Sequence, residues 1–172
     1  TVGFLGTATQ YNWSNSNTSI GLAASGSGDI ITFSGVNSTN VPQTGNIIVS
    51  PIFAYGGLTC TGGSQSFSIS VNPSPIINYN QSSPQPVCSN STTSSVTISS
   101  PTPNTSFNWS IPTIPTGITG LNVTSGTNTI PSYTLVNTTS VPITINFVVN
   151  ASTSVGSCPG ISSTYTITVN PS

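Results

Sequence analysis

The chain has no lysine, arginine, histidine, glutamate or methionine, and its only charged side chain is Asp29. Each absence removes a class of function. Without cations nothing can neutralise a phosphate backbone, so nucleic acid is excluded as a partner. General acid–base catalysis needs histidine, lysine or paired carboxylates, and none is present. Serine and threonine abound, but no base is available to activate one as a nucleophile. A single aspartate and three cysteines fall short of the ligand clusters that hold zinc or calcium. Asp29 offers one calcium ligand at most. Capping the turn after Ser27-Gly28 is the plainer expectation for it. The reading is no enzyme, no cofactor and no metal.

Other absences are physical. There are no salt-bridge networks to build. Almost nothing titrates between the carboxyl and tyrosine ranges, so stability should be nearly flat with pH and salt. Trypsin has no site. Thr and Asn interrupt every apolar run well short of the roughly 18 residues of a spanning helix, so no membrane insertion is expected. No secretory leader is visible, and the sequence reads as an excerpt or mature fragment. A net charge near zero favours association. Strand edges lack the usual lysine gatekeepers, so proline, asparagine or glycans must blunt them, unless the edges are meant to be paired.

What is present is polar and ordered. Serine, threonine and asparagine number 32, 28 and 18 of 172 residues, yet 34% of the chain is apolar. One stretch occurs twice. Residues 60–74 read C-T-G-G-S-Q-S-F-S-I-S-V-N-P-S, and residues 158–172 read C-P-G-I-S-S-T-Y-T-I-T-V-N-P-S. Eight of fifteen positions are identical at an offset of 98. Phe67, Ile69 and Val71, like Tyr165, Ile167 and Val169, alternate with Ser or Thr, the period of a strand with one apolar face. Tyr11-Asn12-Trp13-Ser14 matches Phe107-Asn108-Trp109-Ser110 at an offset of 96, and residues 37–49 match 137–149 at 100. Loop insertions between strands of fixed length produce such drift.

The expectation is all-β: two tandem immunoglobulin-like sandwiches, residues 1–74 and 75–172. In the second, strands are expected near 86–90, 95–99, 107–109, 118–123, 129–135, 141–150 and 163–170. Turns are expected at 101–104, 125–128, Gly156 and Pro159-Gly160. The junction Asn72-Pro73-Ser74-Pro75 favours an extended connection.

Cys60 and Cys158 are equivalent by alignment. Cys88 has no counterpart, because its equivalent falls before residue 1. A Cys88–Cys158 disulfide is expected to tie the first strand to the turn before the last, worth roughly 4 kcal/mol by loop entropy. Cys60 would then pair with a cysteine upstream of the fragment, remain free and buried, or link to another chain. Such bridges place the protein outside the cytoplasm. The same arithmetic leaves repeat one without its first strand. Either the numbering starts within the domain, or a neighbouring chain supplies the strand.

Trp13, Trp109, Phe67 and Tyr165 are expected in cores, as are Phe33 and Tyr133. Phe53 and Tyr55, unmatched and next to Gly56-Gly57, are the best candidates for an exposed ligand patch, with surface glycans as the ligand. Ten N-x-Ser/Thr sequons occur, at Asn12, Asn17, Asn37, Asn80, Asn90, Asn104, Asn108, Asn122, Asn137 and Asn150. Chance supplies several in a chain of this composition.

The runs Y-N-W-S, V-N-S-T-N-V-P and C-T-G…F-S-I-S-V-N-P, repeated as F-N-W-S, V-N-T-T-S-V-P and C-P-G…Y-T-I-T-V-N-P-S, resemble PKD-like repeat modules. Modules of that kind build giant surface adhesins of gliding bacteria, exported by the type IX secretion system. The resemblance implies an extracellular, non-catalytic stalk or spacer whose partners are neighbouring repeats or identical subunits. The near-total lack of charge departs from the usual module. Two further readings are a subunit of a filament joined by strand edges, and a carbohydrate-binding module of a secreted protein.

Overall fold

The computed structural model describes residues 1–154 and 158–172. The turn expected at Gly156 lies outside the described residues. Among the described residues the chain is all-β, with one 3-10 turn at Thr18–Ile20, and it divides into two units, Thr1–Pro73 and Ser74–Ser172.

Unit 1 contains β1 (Gln10–Asn15), β2 (Ser25–Ser27), β3 (Gln43–Tyr55), β4 (Leu58–Thr61) and β5 (Gln65–Val71). They form one antiparallel sheet in the order β2-β1-β3-β4, with β5 also on β3. β4 and β5 therefore follow one another along the same side of β3. Gly56 and Gly57, both at positive φ, make the two-residue turn from β3 to β4, a backbone that only glycine adopts without strain. The core is small: Trp13, Ile20, Leu22, Ile30, Ile47 and Val49.

Unit 2 contains β6 (Asn78–Tyr79), β7 (Gln85–Cys88), β8 (Ser91–Thr92), β9 (Val96–Ser99), β10 (Thr105–Ser110), β11 (Ile118–Thr119), β12 (Ser125–Thr127), β13 (Thr129–Ile130), β14 (Thr134–Asn137), β15 (Ile143–Thr153) and β16 (Ser163–Asn170). One sheet runs β12-β10-β15-β16-β7. Two three-stranded sheets, β11-β14-β8 and β13-β9-β6, supply the other layer. The alternating apolar residues of these strands meet in one core that includes Val96, Ile98, Phe107, Trp109, Ile130, Leu135, Phe147 and Tyr165. Phe147 sits at its centre, with ring centroids 5.8 Å from Trp109, 6.1 Å from Tyr133 and 6.5 Å from Tyr165. This is the β-sandwich of an immunoglobulin-like or PKD-like domain.

Several details differ from the sequence reading. Residues 125–127, read as a turn, are a strand on β10. Gly126 lies opposite Trp109, and an added Cβ would sit 2.9 Å from the indole. The strand expected over 129–135 is interrupted at Pro131, which has no N–H to donate to a ladder, and resumes as β14. The short strands β6 and β8 carry too few residues to show a period.

The two units repeat one register. Trp13 stands between Val49 and Gly26, and Trp109 between Val149 and Gly126. Val2 bridges Ile30 just as Val96 pairs with Ile130, so residues 1–5 take the place of β9. Among the described residues, unit 1 has no counterpart of β6, β7 or β8.

Candidate functional site

A concave feature of unit 1 is an apolar groove of about 760 Å³ along the β3–β4–β5 side of the sheet. Its floor includes Val49, Pro51 and Phe67, and its walls include Phe4, Tyr11 and Phe53. Phe67, Ile69 and Val71 of β5 point to the core side but are only half-buried, whereas Tyr165, Ile167 and Val169 of β16 are fully buried. The difference has a visible cause. In unit 2, β7 pairs in parallel with Ile167–Asn170, and Tyr79 lies against Tyr165 at 5.0 Å. Pro75 is buried against Gly160, where an added Cβ would meet Pro75 O at 2.7 Å. In unit 1 the matching Gly62 bonds Pro51 O as Gly160 bonds Ala151 O, and its nearest neighbours are atoms of Pro51 itself.

Phe53 is half exposed on the groove wall. Tyr55 and Leu58, at the tip of the hairpin, are about four-fifths exposed at 80% and 77%. Cys60 faces Phe53 across the β3–β4 ladder and is exposed, so the buried-thiol alternative does not hold. Trp13 and Trp109 are buried, Tyr165 is fully buried and Phe67 half so. Phe33 lies half-buried against the unit 1 core, and Tyr133 is fully enclosed. The indole N–H of Trp109 donates to Thr129 O at 2.9 Å. The indole N–H of Trp13 is buried without a protein acceptor.

The expected Cys88–Cys158 bridge is corrected by the strand directions. β7 runs parallel to β16 and places Cys88 level with Asn170, beside Val169 and its partner Ile143. Cys158 accepts through its carbonyl from Thr153 N. The whole of β15, Ile143–Thr153, separates those two levels, roughly 30 Å at strand rise. A disulfide needs Cα atoms within about 7 Å. Cys88 is an exposed thiol.

Asp29 accepts the N–H of Phe4 at 3.0 Å and so fastens the β9-like segment; it does not cap the turn at Gly28. Among the described residues no group of three or more His, Cys, Asp or Glu side chains gathers. No helix among them is long and apolar enough to cross a membrane.

One device was present in the sequence and missed. Asn37 and Asn137 are matched clamps. Asn137 Nδ2 donates to Val141 O at 2.7 Å and to Val169 O at 2.9 Å, while its Oδ1 accepts from Thr139 N at 2.9 Å and Thr139 Oγ1 at 2.8 Å. Asn37 makes the same four bonds to Val41, Val71 and Thr39. Each clamp ties the last strand of its unit to the loop before the long strand. The signal was the repeated N-x-T-x-V, which doubles as a sequon. With both amide hydrogens of Nδ2 engaged, neither asparagine is free to carry a glycan. Other sequons are also structural: Asn17 caps the 3-10 turn, Asn80 accepts Thr97 N, and Asn90 and Asn104 hold positive φ.

The fold and its fixed points thus define a β-sandwich protein whose repeated features are all architectural. A family model for the PKD-like domain matches residues 85–172. That span is just over half of the chain, and the chain belongs to the PKD-like domain family. No curated protein matches it.

Proposed function

We propose that the chain is a structural part of an extracellular surface protein, a spacer that contributes length and stiffness without catalysis. Unit 1 is taken as a second module of the PKD-like kind. The observation that carries this reading is the duplication itself: the Trp-on-Gly contact, the asparagine clamp and the Val-Asn-Pro strand end occur in both units, and each serves folding. A surface of hydroxyls and amides suits long exposure outside a cell. The adhesin setting and export by type IX secretion follow from the sequence resemblance and belong to this proposal.

The test is replacement on the cell. Exchanging both units for an unrelated rigid spacer of equal length should leave surface display and adhesion intact. Loss of adhesion with display retained would show that the units themselves bind. A second reading, a filament subunit, draws on the unpaired side of β5. Negative-stain microscopy of the purified chain separates the two: discrete particles fit the spacer, and ordered fibres fit the filament.

A further inference from the structure

Unit 1 holds a further cavity, of about 350 Å³, whose lining lies wholly within residues 13–33. Trp13 and Asp29 border it, and Leu22, Ala23, Ile31 and Phe33 are its apolar walls. In unit 2 the matching space is closed by two hydrogen bonds. The indole N–H of Trp109 donates to Thr129 O at 2.9 Å, and the hydroxyl of the enclosed Tyr133 donates to Val123 O at 2.7 Å. Asn15 N bonds Ala24 O as Ile111 N bonds Thr124 O, and Gly26 and Ile30 keep the register of Gly126 and Ile130. Ala23 therefore stands where Val123 does, and Phe33 where Tyr133 does. Both changes remove atoms that fill the space in unit 2. The closing residues of unit 2 follow β11, whereas β8 lies on the opposite edge of β14. The cavity is thus set by residue identities within 13–33 and not by the place of β8.

The polar groups around this cavity are unevenly used. Trp13 is 9% exposed, and its N–H is buried without a protein acceptor. The equivalent N–H in unit 2 points at Thr129, and Asp29, at that position in unit 1, borders the cavity. A buried donor of this kind calls for a partner. β2 pairs only with β1 among the described residues. Ala24 O and Gly28 N bond to β1, so by alternation the N–H and C=O groups of Ser25 and Ser27 face away from it. Both serines line the cavity. Phe33 adds a half-buried ring, and Ile31 is 77% exposed.

We propose that the cavity binds one neutral pyranose ring. The Trp13 N–H donates to a sugar oxygen, and the outward backbone groups of Ser25 and Ser27 bond sugar hydroxyls. The C–H face of the ring lies on Phe33, an aromatic body suited to an apolar face. Asp29 Oδ1 already accepts Phe4 N, and a carboxylate has acceptor sites to spare for hydroxyls. It is the only charged side chain of the chain, so it disfavours an anionic sugar. The volume is at the small end of the range of about 300–1,000 Å³ for ligand pockets, which suits one ring and not a chain. So small a ligand binds in the millimolar range, too weakly to hold a cell. The spacer reading does not depend on this inference and would survive its failure.

The probes are methyl glucoside, methyl galactoside and N-acetylglucosamine, titrated into the isotope-labelled full chain. The readout is the indole N–H resonance of Trp13, assigned by its loss in Trp13→Phe. The expected result is a saturable one-to-one shift of that resonance and of the Ser25 and Ser27 amides with at least one of the three sugars, while the Trp109 indole stays unmoved. Glucuronate should bind about tenfold more weakly than glucoside. Ala23→Val combined with Phe33→Tyr restores the closing groups of unit 2 and should weaken binding about tenfold or more. Asp29→Asn keeps the test decisive if that variant misfolds, because it retains an acceptor for Phe4 N and should remove the bias against glucuronate. No saturable shift with any of the three sugars overturns the proposal, as does undiminished binding by the folded double variant or equal binding of glucuronate by the unaltered chain. So does a bound water only, seen as a cross-peak between water and the Trp13 indole N–H that persists at the highest sugar concentration.

Discussion

Replacing Asn137 with alanine should be among the most damaging single changes in unit 2. The side chain is 5% exposed and makes four hydrogen bonds, two of them to the carbonyls of Val141 and Val169. A typical intramolecular hydrogen bond contributes about 1 kcal/mol net, and a buried acceptor left unpaired costs about 1–3 kcal/mol. Val169 is fully buried, so its carbonyl is the group that water reaches least. Four bonds lost with partial relaxation give a destabilisation of about 3–4 kcal/mol, a large part of a stability of roughly 5–15 kcal/mol. Asn37→Ala removes the same bonds at a half-buried site and should cost about half as much. The assay is urea unfolding followed by tryptophan fluorescence, with Trp13→Phe to isolate unit 2 and Trp109→Phe to isolate unit 1. Asn137→Asp sharpens the test. A carboxylate cannot donate to either carbonyl, so burial and the two oxygens raise its pKa in the folded state. A raised folded pKa means the variant recovers stability in acid and loses it as pH rises through that value. A loss under about 1 kcal/mol for Asn137→Ala, or no acid recovery for Asn137→Asp, would refute the clamp as a principal tie.

Three further outcomes follow from packing and chemistry. Burial pushes the Tyr133 hydroxyl up to about 12, and that hydroxyl donates to Val123 O at 2.7 Å. The neutral phenol favours the fold, so its contribution is complete below the ordinary value of about 10 and is lost as pH rises toward 12; Tyr133→Phe should flatten the alkaline limb of a Tm-versus-pH curve. Gly126→Ala forces a Cβ to 2.9 Å from Trp109 and should cost about 1–3 kcal/mol, read by the same urea titration. Peptic mapping without reductant should show no peptide joining Cys88 to Cys158, and iodoacetamide should label Cys60 and Cys88 in the native state with no change in Tm.

Much of the layout was legible because strands impose a period. The last strand was read as 163–170 and stands as Ser163–Asn170, and the paired aromatics at 107 and 109 lie on one face of β10. Two-residue strands such as β6 and β8 have no period to read. The disulfide failed for a different reason. Alternation places residues on faces but does not give a strand's direction, and Cys88 falls at the far end because β7 runs parallel to β16. The groove along β5 was not foreseen. Its shape was not legible, because an apolar residue half exposed on β5 reads the same as one buried on β16. The clamp was hidden by its own chemistry: Asn-x-Thr is common in a chain this rich in both residues, and only the carbonyls of Val71 and Val169, distant in sequence, distinguish it.

The central claim is that the two units share one strand register, with the last strand of unit 2 paired on both sides and that of unit 1 paired on one side among the described residues. Residue-resolved amide exchange on the free chain tests it most directly. Thr166, Thr168 and Asn170 should exchange slowly, while Ser68, Ser70 and Asn72 exchange fast on a strand whose Phe67, Ile69 and Val71 amides stay protected by β3. Equal protection of the two sets would contradict the account, as would uniformly fast exchange along all of β5.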